Sequence, residues 1–346
     1  MTATDLLELM PDRGKIDDAT FEEVIVPRLG AEREDVALGP QHGVDFGVLS
    51  VDEHAIVTAT DPISILPALG FERAGRMALD IVLTDVAVSG IAPTHVTVSL
   101  SLPTEMTDDE LALAWNGMAT HAESLGVSVV AGHTARYEGI DYSWVGGGTA
   151  LGVGDPADIV RPDGAQPGDA IVLTTGPGAE TTGLFATLFP DALDLSATTV
   201  ATAQERVEDI LGVADAKRAS EAGTLHAMHD ATEGGVVGGL AEMATGAGVR
   251  FVVERDPAPI QPGIRAVCGA VGVDPWTVSS AGSLLLTAPP EEATAIVEAM
   301  EASGTPAGII GTVEATDGEG AVHLDGEQVE PPRSDPAWDA MARLSE

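Results

Sequence analysis

Apolar and polar positions follow two periods along the chain. Val48-Leu49-Ser50-Val51 and Ala55-Ile56-Val57-Thr58-Ala59-Thr60 flank the polar turn Asp52-Glu53-His54 and read as paired strands, the second ending at Asp61. Residues 73–89 have helix-like composition and stop near Gly90, with Pro93 just beyond. Residues 94–102 alternate strictly and predict a half-buried strand. Thr107–Leu125 predicts a helix, because Thr107 with Glu110 three residues on forms a capping box and Gly126 supplies the stop. Val127–Ala131 reads as a short buried strand, and Ser143–Gly154 as another, interrupted by Gly146-Gly147-Gly148.

Pro156, Pro162, Gly164 and Pro167 then mark residues 155–168 as a linker. Beyond it, Ala170–Thr174, Val249–Val253 and Ser283–Thr287 read as strands, and 198–223, 235–247 and 291–303 as helices. Strands and helices alternate in both halves, so the expected fold is α/β (α+β) with two domains, residues 1–154 and 169–346. A length of 346 residues agrees, since one hydrophobic core rarely supports so many.

Charge changes the picture more than composition does. There are 55 acidic residues against 16 Lys and Arg, for a formal net charge of −39, and the lysines are Lys15 and Lys217. The acids are dispersed rather than gathered in a tail, and 44% of residues are hydrophobic, which excludes an acidic disordered chain. Such a surface repels nucleic acid and anionic membranes and is destabilised by self-repulsion that salt screens. The expected setting is a very salty cytoplasm of the haloarchaeal type. No apolar run approaches the roughly 18 residues that span a bilayer, and Met1–Glu8 is acidic rather than signal-like. Cys268, the one cysteine, sits among small apolar neighbours and reads as a buried core thiol.

Candidate chemistry lies where acids and glycines meet apolar runs. Asp45, Asp61, Asp80 and Asp85 stand beside predicted strands or within the 73–89 helix, and Mg²⁺ favours carboxylates fixed on such a scaffold. In so acidic a chain most Asp residues are plain surface charges, and only placement raises these. Gly132-His133-Thr134, Gly146–Gly148, Gly176-Pro177-Gly178 and Gly234-Gly235 offer backbone amides to an anion, although none completes a Walker A or dinucleotide fingerprint. Asp230-Ala231-Thr232-Glu233-Gly234-Gly235 leads into a helix whose N-terminus is either an anion site or an ordinary capped entry. Lys15, within Arg13-Gly14-Lys15, is a candidate anion partner by its rarity.

The order of these segments carries a resemblance that none carries alone. Gly14-Lys15-Ile16, Gly39-Pro40 with Asp45, Thr60-Asp61-Pro62, Thr84-Asp85-Val86-Ala87, Ala131-Gly132-His133-Thr134, Pro167-Gly168-Asp169 and His229-Asp230-Ala231-Thr232-Glu233-Gly234-Gly235 follow one another. In that order they resemble the PurM-like superfamily of aminoimidazole-ribonucleotide synthetase, selenophosphate synthetase, thiamine-monophosphate kinase and the hydrogenase maturation protein HypE. The HypE-like branch is nearest, through Val273-Asp274-Pro275, Ser280-Ala281-Gly282 and Gly311-Thr312-Val313.

The resemblance implies an N-terminal sheet domain that forms a homodimer and a C-terminal mixed-sheet domain. It implies ATP and Mg²⁺, with Asp45, Asp61 and Asp85 as metal ligands. Gly132, His133, Thr134, Lys15, Asp61, Gly234 and Gly235 would bind the nucleotide, and Asp230, Glu233 and Lys15 would face the reacting end. The implied activity is ATP-dependent phosphoryl transfer or dehydration on an unidentified small molecule. An ATP-binding regulator or assembly scaffold without turnover of its own is the alternative. HypE carries its carbamoyl group on a terminal cysteine, and this sequence ends Met341-Ala342-Arg343-Leu344-Ser345-Glu346, so dehydration by that route is not expected. Val44-Asp45-Phe46-Gly47, Thr84 and His133 also depart from residues common in the family.

Overall fold

A computed structural model describes residues 14–16 and 18–345; Arg13 and the acidic Met1–Glu8 segment lie outside the described residues. The first half builds a six-stranded sheet in the order β1-β2-β3-β6-β4-β5, from β1 (Val36–Leu38), β2 (Gly47–Val51), β3 (His54–Ser64), β4 (Pro93–Pro103), β5 (Ser128–Tyr137) and β6 (Trp144–Gly154). Only β4 and β5 run parallel. Helices α1 (Phe71–Ala87) and α2 (Asp108–Leu125) pack together, and α1 covers one sheet face. The period-two pattern explains that face: Ala55, Val57, Ala59 and Ile63 of β3 are buried against α1, while Thr58 and Thr60 point away. The capping box forms as expected, with Thr107 and Glu110 each accepting from the other's backbone N–H. Gly75 and Gly117 let the two helices touch, since a Cβ on Gly117 would lie 1.9 Å from the Glu72 carbonyl oxygen.

Two expectations need correction here. β3 does not end at Asp61 but runs on to Ser64, with Asp61 opposite Gly148 of β6. Its pairing with β2 stops at Thr58, so beyond that point one edge is open and Pro62 costs no ladder bond there. Val127–Ala131 is not a short buried strand. β5 is ten residues long, lies at the sheet edge, and is exposed along nearly its whole length. Its apolar alternation (Val129, Val130) is that of an uncovered strand.

The second half forms a seven-stranded sheet, β13-β12-β9-β11-β7-β10-β8. Its strands are β7 (Ala170–Thr174), β8 (Ala227–Asp230), β9 (Val249–Val253), β10 (Leu284–Ala288), β11 (Ala307–Ala315), β12 (Ala321–Leu324) and β13 (Glu327–Val329). The helices are α3 (Ala179–Leu188), α4 (Ala197–Gln204), α5 (Val213–Ala222), α6 (Gly235–Ala247), α7 (Ile264–Val271), α8 (Pro290–Ser303) and α9 (Pro336–Leu344). The expected helix 198–223 is three pieces, with a 3₁₀ stretch Glu205–Ile210 and a break at Gly212. Cys268 is buried as expected.

β7, β8 and β10 are buried on both faces. Ile171, Leu173 and Leu285 point to the side of α6, while Val172, Leu284 and Leu286 join an apolar cluster continuous with Val57, Val82 and Val86 of the first half. The halves therefore share a core. The Asp155–Gly168 segment is laid along the end of α1, where Val160 N–H donates to the Ser89 carbonyl at 2.8 Å. A polar latch crosses the same boundary. Asp80 of α1 is wholly buried and accepts from Gly212 N (2.6 Å) and Val213 N (3.3 Å) at the start of α5, and from His121 Nε2 of α2 at 2.7 Å.

Candidate functional site

Three loop or strand ends and one helix bring the acids together. Asp45 enters from the loop before β2, Asp61 from the open-edged end of β3, Asp85 from the last turns of α1, and Asp230 from the end of β8. The expected metal acids Asp45, Asp61 and Asp85 do converge, and together with Lys15 and Glu233 they line one cavity of about 280 Å³ between the two halves. Ligand atoms of Asp45, His229 and Asp230 lie within 4.8 Å of one another, a set that could hold a cation.

The electrostatics show charge in want of a counter-ion. Burial, and then the charge of Asp230, push the Asp61 carboxyl up to about 7. Burial, then the charges of Asp45 and Asp230, hold Asp85 well above the usual carboxylate range, while Lys15 opposes both shifts. Lys15 lies over this crowd. Its Nζ is 3.5 Å from Asp45 Oδ1, and its backbone N–H donates to Glu233 Oε2 at 2.8 Å. The Asp45 carboxylate, against the cost of burial, keeps its ammonium charged well above the ordinary lysine range. Gly14 suits this place through its φ of +101°, which L side chains rarely adopt, and a Cβ there would also push the Glu233 carboxylate aside.

His229 was not foreseen as part of this site. It is buried in β8, with Nδ1 3.3 Å from Asp230 Oδ1 and 3.5 Å from Asp45 Oδ2, and Nε2 2.8 Å from Glu242 Oε2 of α6. Burial works against its protonation, but hydrogen bonds to Asp230 and Glu242 and the charge of Asp45 outweigh it and hold the imidazolium. Burial likewise works against Glu242, and the hydrogen bond from His229 brings its carboxyl down to about 2. The arrangement is a fixed cation that orients two of the acids. Glu180, Asp335 and Trp338 were also missed. Asp335 is buried, caps α9 and accepts from Gly234 N (3.1 Å) and Ser279 N (2.7 Å), tying the C-terminal helix to two site loops.

Other expected residues are placed less directly. The Gly234 amide donates to Asp335 and the Gly235 amide to the Thr232 carbonyl at 2.9 Å, so both are engaged within the chain. Gly235 is required by crowding, with φ +64° and a Cβ that would meet the Val278 carbonyl at 2.5 Å. Gly132, His133 and Thr134 lie on the exposed edge strand β5 and are not among the residues lining the acid cavity.

Sequence comparison identifies the same two halves. Residues 43–153 match the AIR synthase related protein N-terminal domain, and residues 166–323 its C-terminal domain. The carbamoyl dehydratase HypE of Azotobacter vinelandii is 30% identical over 269 residues, 75% of each chain. The chain belongs to the AIR synthase related family. The selenide, water dikinase of Citrifermentans bemidjiense is 28% identical over 349 residues, 91% of this chain and 96% of that one. Among solved structures, the Aquifex aeolicus thiamine-monophosphate kinase complexed with AMPPCP and TMP superposes with a TM-score of 0.72 at 20% identity, covering 96% of this chain and 97% of that one. The AIR synthase related fold, two mixed sheets with a cavity at their junction, is thus what this chain adopts.

Proposed function

We propose that the protein is an ATP-dependent enzyme of the HypE-like branch that transfers a phosphoryl group to an oxygen of a small-molecule acceptor, with Mg²⁺ held among Asp45, Asp61, Asp85 and Asp230. The observation that carries this reading is that Asp45, Asp61 and Asp85 converge on one cavity, with an Asp230 ligand atom within 4.8 Å of one on Asp45; Asp61 is pushed up to about 7 and Asp85 above its ordinary value, chiefly by burial and then by neighbouring carboxylates. Carboxylates at such density fit a hard divalent cation and its phosphate ligands. When bound, Mg²⁺ would supply charge neutralisation at the phosphates. Lys15 would contact the transferred phosphoryl group from above Asp45. His229, whose Nε2 is 2.8 Å from Glu242 Oε2 and whose Nδ1 faces Asp230 and Asp45, would hold those two acids in place as a positioning residue. Glu233 would face the reacting end alongside Asp230. Phosphoryl transfer asks for this kind of positioning more than for a covalent nucleophile.

The relatives support an ATP reading: their names are those of a dehydratase and a dikinase, and the kinase structure contains AMPPCP. We further infer a homodimer formed through the first sheet. Its edge strand β5 pairs with β4 on one side only, with Val130 55% exposed, and a second copy meeting the outer edge would bring Gly132, His133 and Thr134 to a nucleotide site. Gly234 and Gly235 would bound the same site as helix-entry backbone. The net charge of −39 supports operation in a salty cytoplasm. Among the described residues no helix is long and apolar enough to cross a membrane.

The test is ATP consumption by the purified chain in Mg²⁺, supplied with a pool of neutral metabolites and with no other protein. ADP formation that disappears in Asp61→Asn and Asp85→Asn supports the enzyme. ATP binding with no turnover under any supply would contradict it and favour the scaffold.

A further inference from the structure

The lining of the acid cavity also holds residues of a different chemistry. Apolar side chains from α1, α3 and α9 (Met77, Ile81, Leu184, Trp338 and Met341) and Trp144 of β6 share that lining. Glu180, near the start of α3, stands in this apolar lining. Its Oε2 accepts from Ser279 Oγ (2.5 Å) and from Ala281 N (3.0 Å). No described residue donates to its Oε1. The indole Nε1 of Trp338 is buried without any acceptor. The unmet indole N–H costs free energy that a ligand acceptor could return, and the second oxygen of Glu180 is left to accept from a ligand.

Charge narrows the ligand further. Asp45, Asp61, Asp85, Glu180 and Glu233 line the cavity, and Lys15, already on Asp45, is the cation among its lining residues. The first four acids other than Glu180 belong to the nucleotide end in the reading above. Glu180 is left facing the acceptor with no cation beside it. An anionic body placed against Glu180 would meet repulsion in a poorly solvated space, whereas an amine or amide N–H would meet an acceptor. The two tryptophans in the lining, Trp144 and Trp338, favour flat apolar or cationic groups.

We propose that the apolar part of this lining around Glu180 is the acceptor subsite, and that the acceptor has a compact apolar body, neutral or cationic, which donates an N–H to Glu180. The inference rests on the phosphoryl-transfer reading for the role of the subsite, though not for its ligand preference. The reacting oxygen would point away from Glu180 toward the acids. Asp335 holds the α9 wall in place through Gly234 and Ser279.

Four one-ring probes separate the possibilities: benzylamine, benzamide, benzoate and phenyl phosphate, titrated into the full chain by ligand-observed NMR, with and without Mg²⁺ and AMPPCP. Benzylamine and benzamide are expected to bind at millimolar concentration and the two anions not. Glu180→Gln should weaken benzylamine roughly ten-fold, as loss of a charge-assisted hydrogen bond does, and leave AMPPCP affinity unchanged. Leu184→Trp, which fills the space, should abolish both probes if the subsite is the binding place. Binding of benzoate or phenyl phosphate as tight as the amine, binding of none of the four, or indifference to both substitutions would each overturn the proposal. Loss of AMPPCP binding by the unsubstituted chain would instead overturn the proposed function, with the probe preference still read on its own.

Discussion

At the scale of single residues, the acids were legible and their supports were not. Asp45, Asp61 and Asp85 could be picked out because each interrupts an apolar segment. His229 could not, since a lone histidine beside Asp230 gives no sign that Glu242, thirteen residues on in α6, takes its other nitrogen. Glu180 was hidden in the same way, because its burial depends on α9 arriving from the far end of the chain. Two outcomes follow from the titrations. Asp61 binds a proton more tightly in the folded state than in the unfolded one, so its contribution to stability falls as pH rises from the ordinary Asp value toward about 7. Asp61→Asn should therefore stabilise the metal-free protein at pH 8, by on the order of 1–3 kcal/mol, and by less than half as much at pH 5. Thermal melts at the two pH values check this, and an equal shift at both would contradict it. Glu242 has the opposite sense to Asp61, and His229 the same sense. Stability from Glu242 is complete above its unfolded value and is lost as pH falls toward about 2. Stability from the His229 imidazolium is complete below its unfolded value and is lost only as pH rises through its raised folded one. His229→Gln should cost about 3–5 kcal/mol near neutrality, because it leaves buried carboxylates uncompensated. Urea denaturation of the variant measures it.

At the scale of elements, period and punctuation located most helices and strands of the first half. The capping box at Thr107 and Glu110 formed as the sequence predicts. Errors arose where tertiary placement decided the outcome. β5 has the composition of a buried strand but lies at a sheet edge, and the 198–223 segment has helical composition but is broken at Gly212 so that Asp80 can reach the amides there. That contact identifies α5 as docked onto α1 by a buried carboxylate at its N-terminus. Asp80→Ala should lower unfolding free energy by about 2–3 kcal/mol, more than an exposed cap would, because it also strands His121 and the Gly212 amide. Asp80→Asn should recover part of this. Denaturation followed separately by Trp fluorescence and far-UV dichroism would also show whether the halves then unfold in separate steps. Two coincident, unshifted transitions would contradict the latch.

At the scale of the whole molecule, composition gave the charge and the two-domain length, while the shared core between the halves was not legible, since it depends on Leu284 and Leu286 meeting the residues around α1. A net charge of −39 on 346 residues predicts that the melting temperature climbs with KCl well beyond the range in which simple pairs are screened. A melting temperature flat from low to molar KCl would contradict that electrostatic account. The open outer edge of β5 predicts that the chain runs as a dimer in light scattering, and that Val130→Lys at this edge shifts it toward monomer without unfolding it. The central claim is that one cavity between the halves uses its carboxylates to hold a metal–nucleotide complex. Calorimetry in molar KCl, titrating ATP with and without Mg²⁺ into the native chain, Asp61→Asn and Asp85→Asn, tests it most directly. The account predicts binding that requires Mg²⁺ and is lost in both variants; Mg²⁺-independent binding, or binding that survives both substitutions in folded protein, would contradict it.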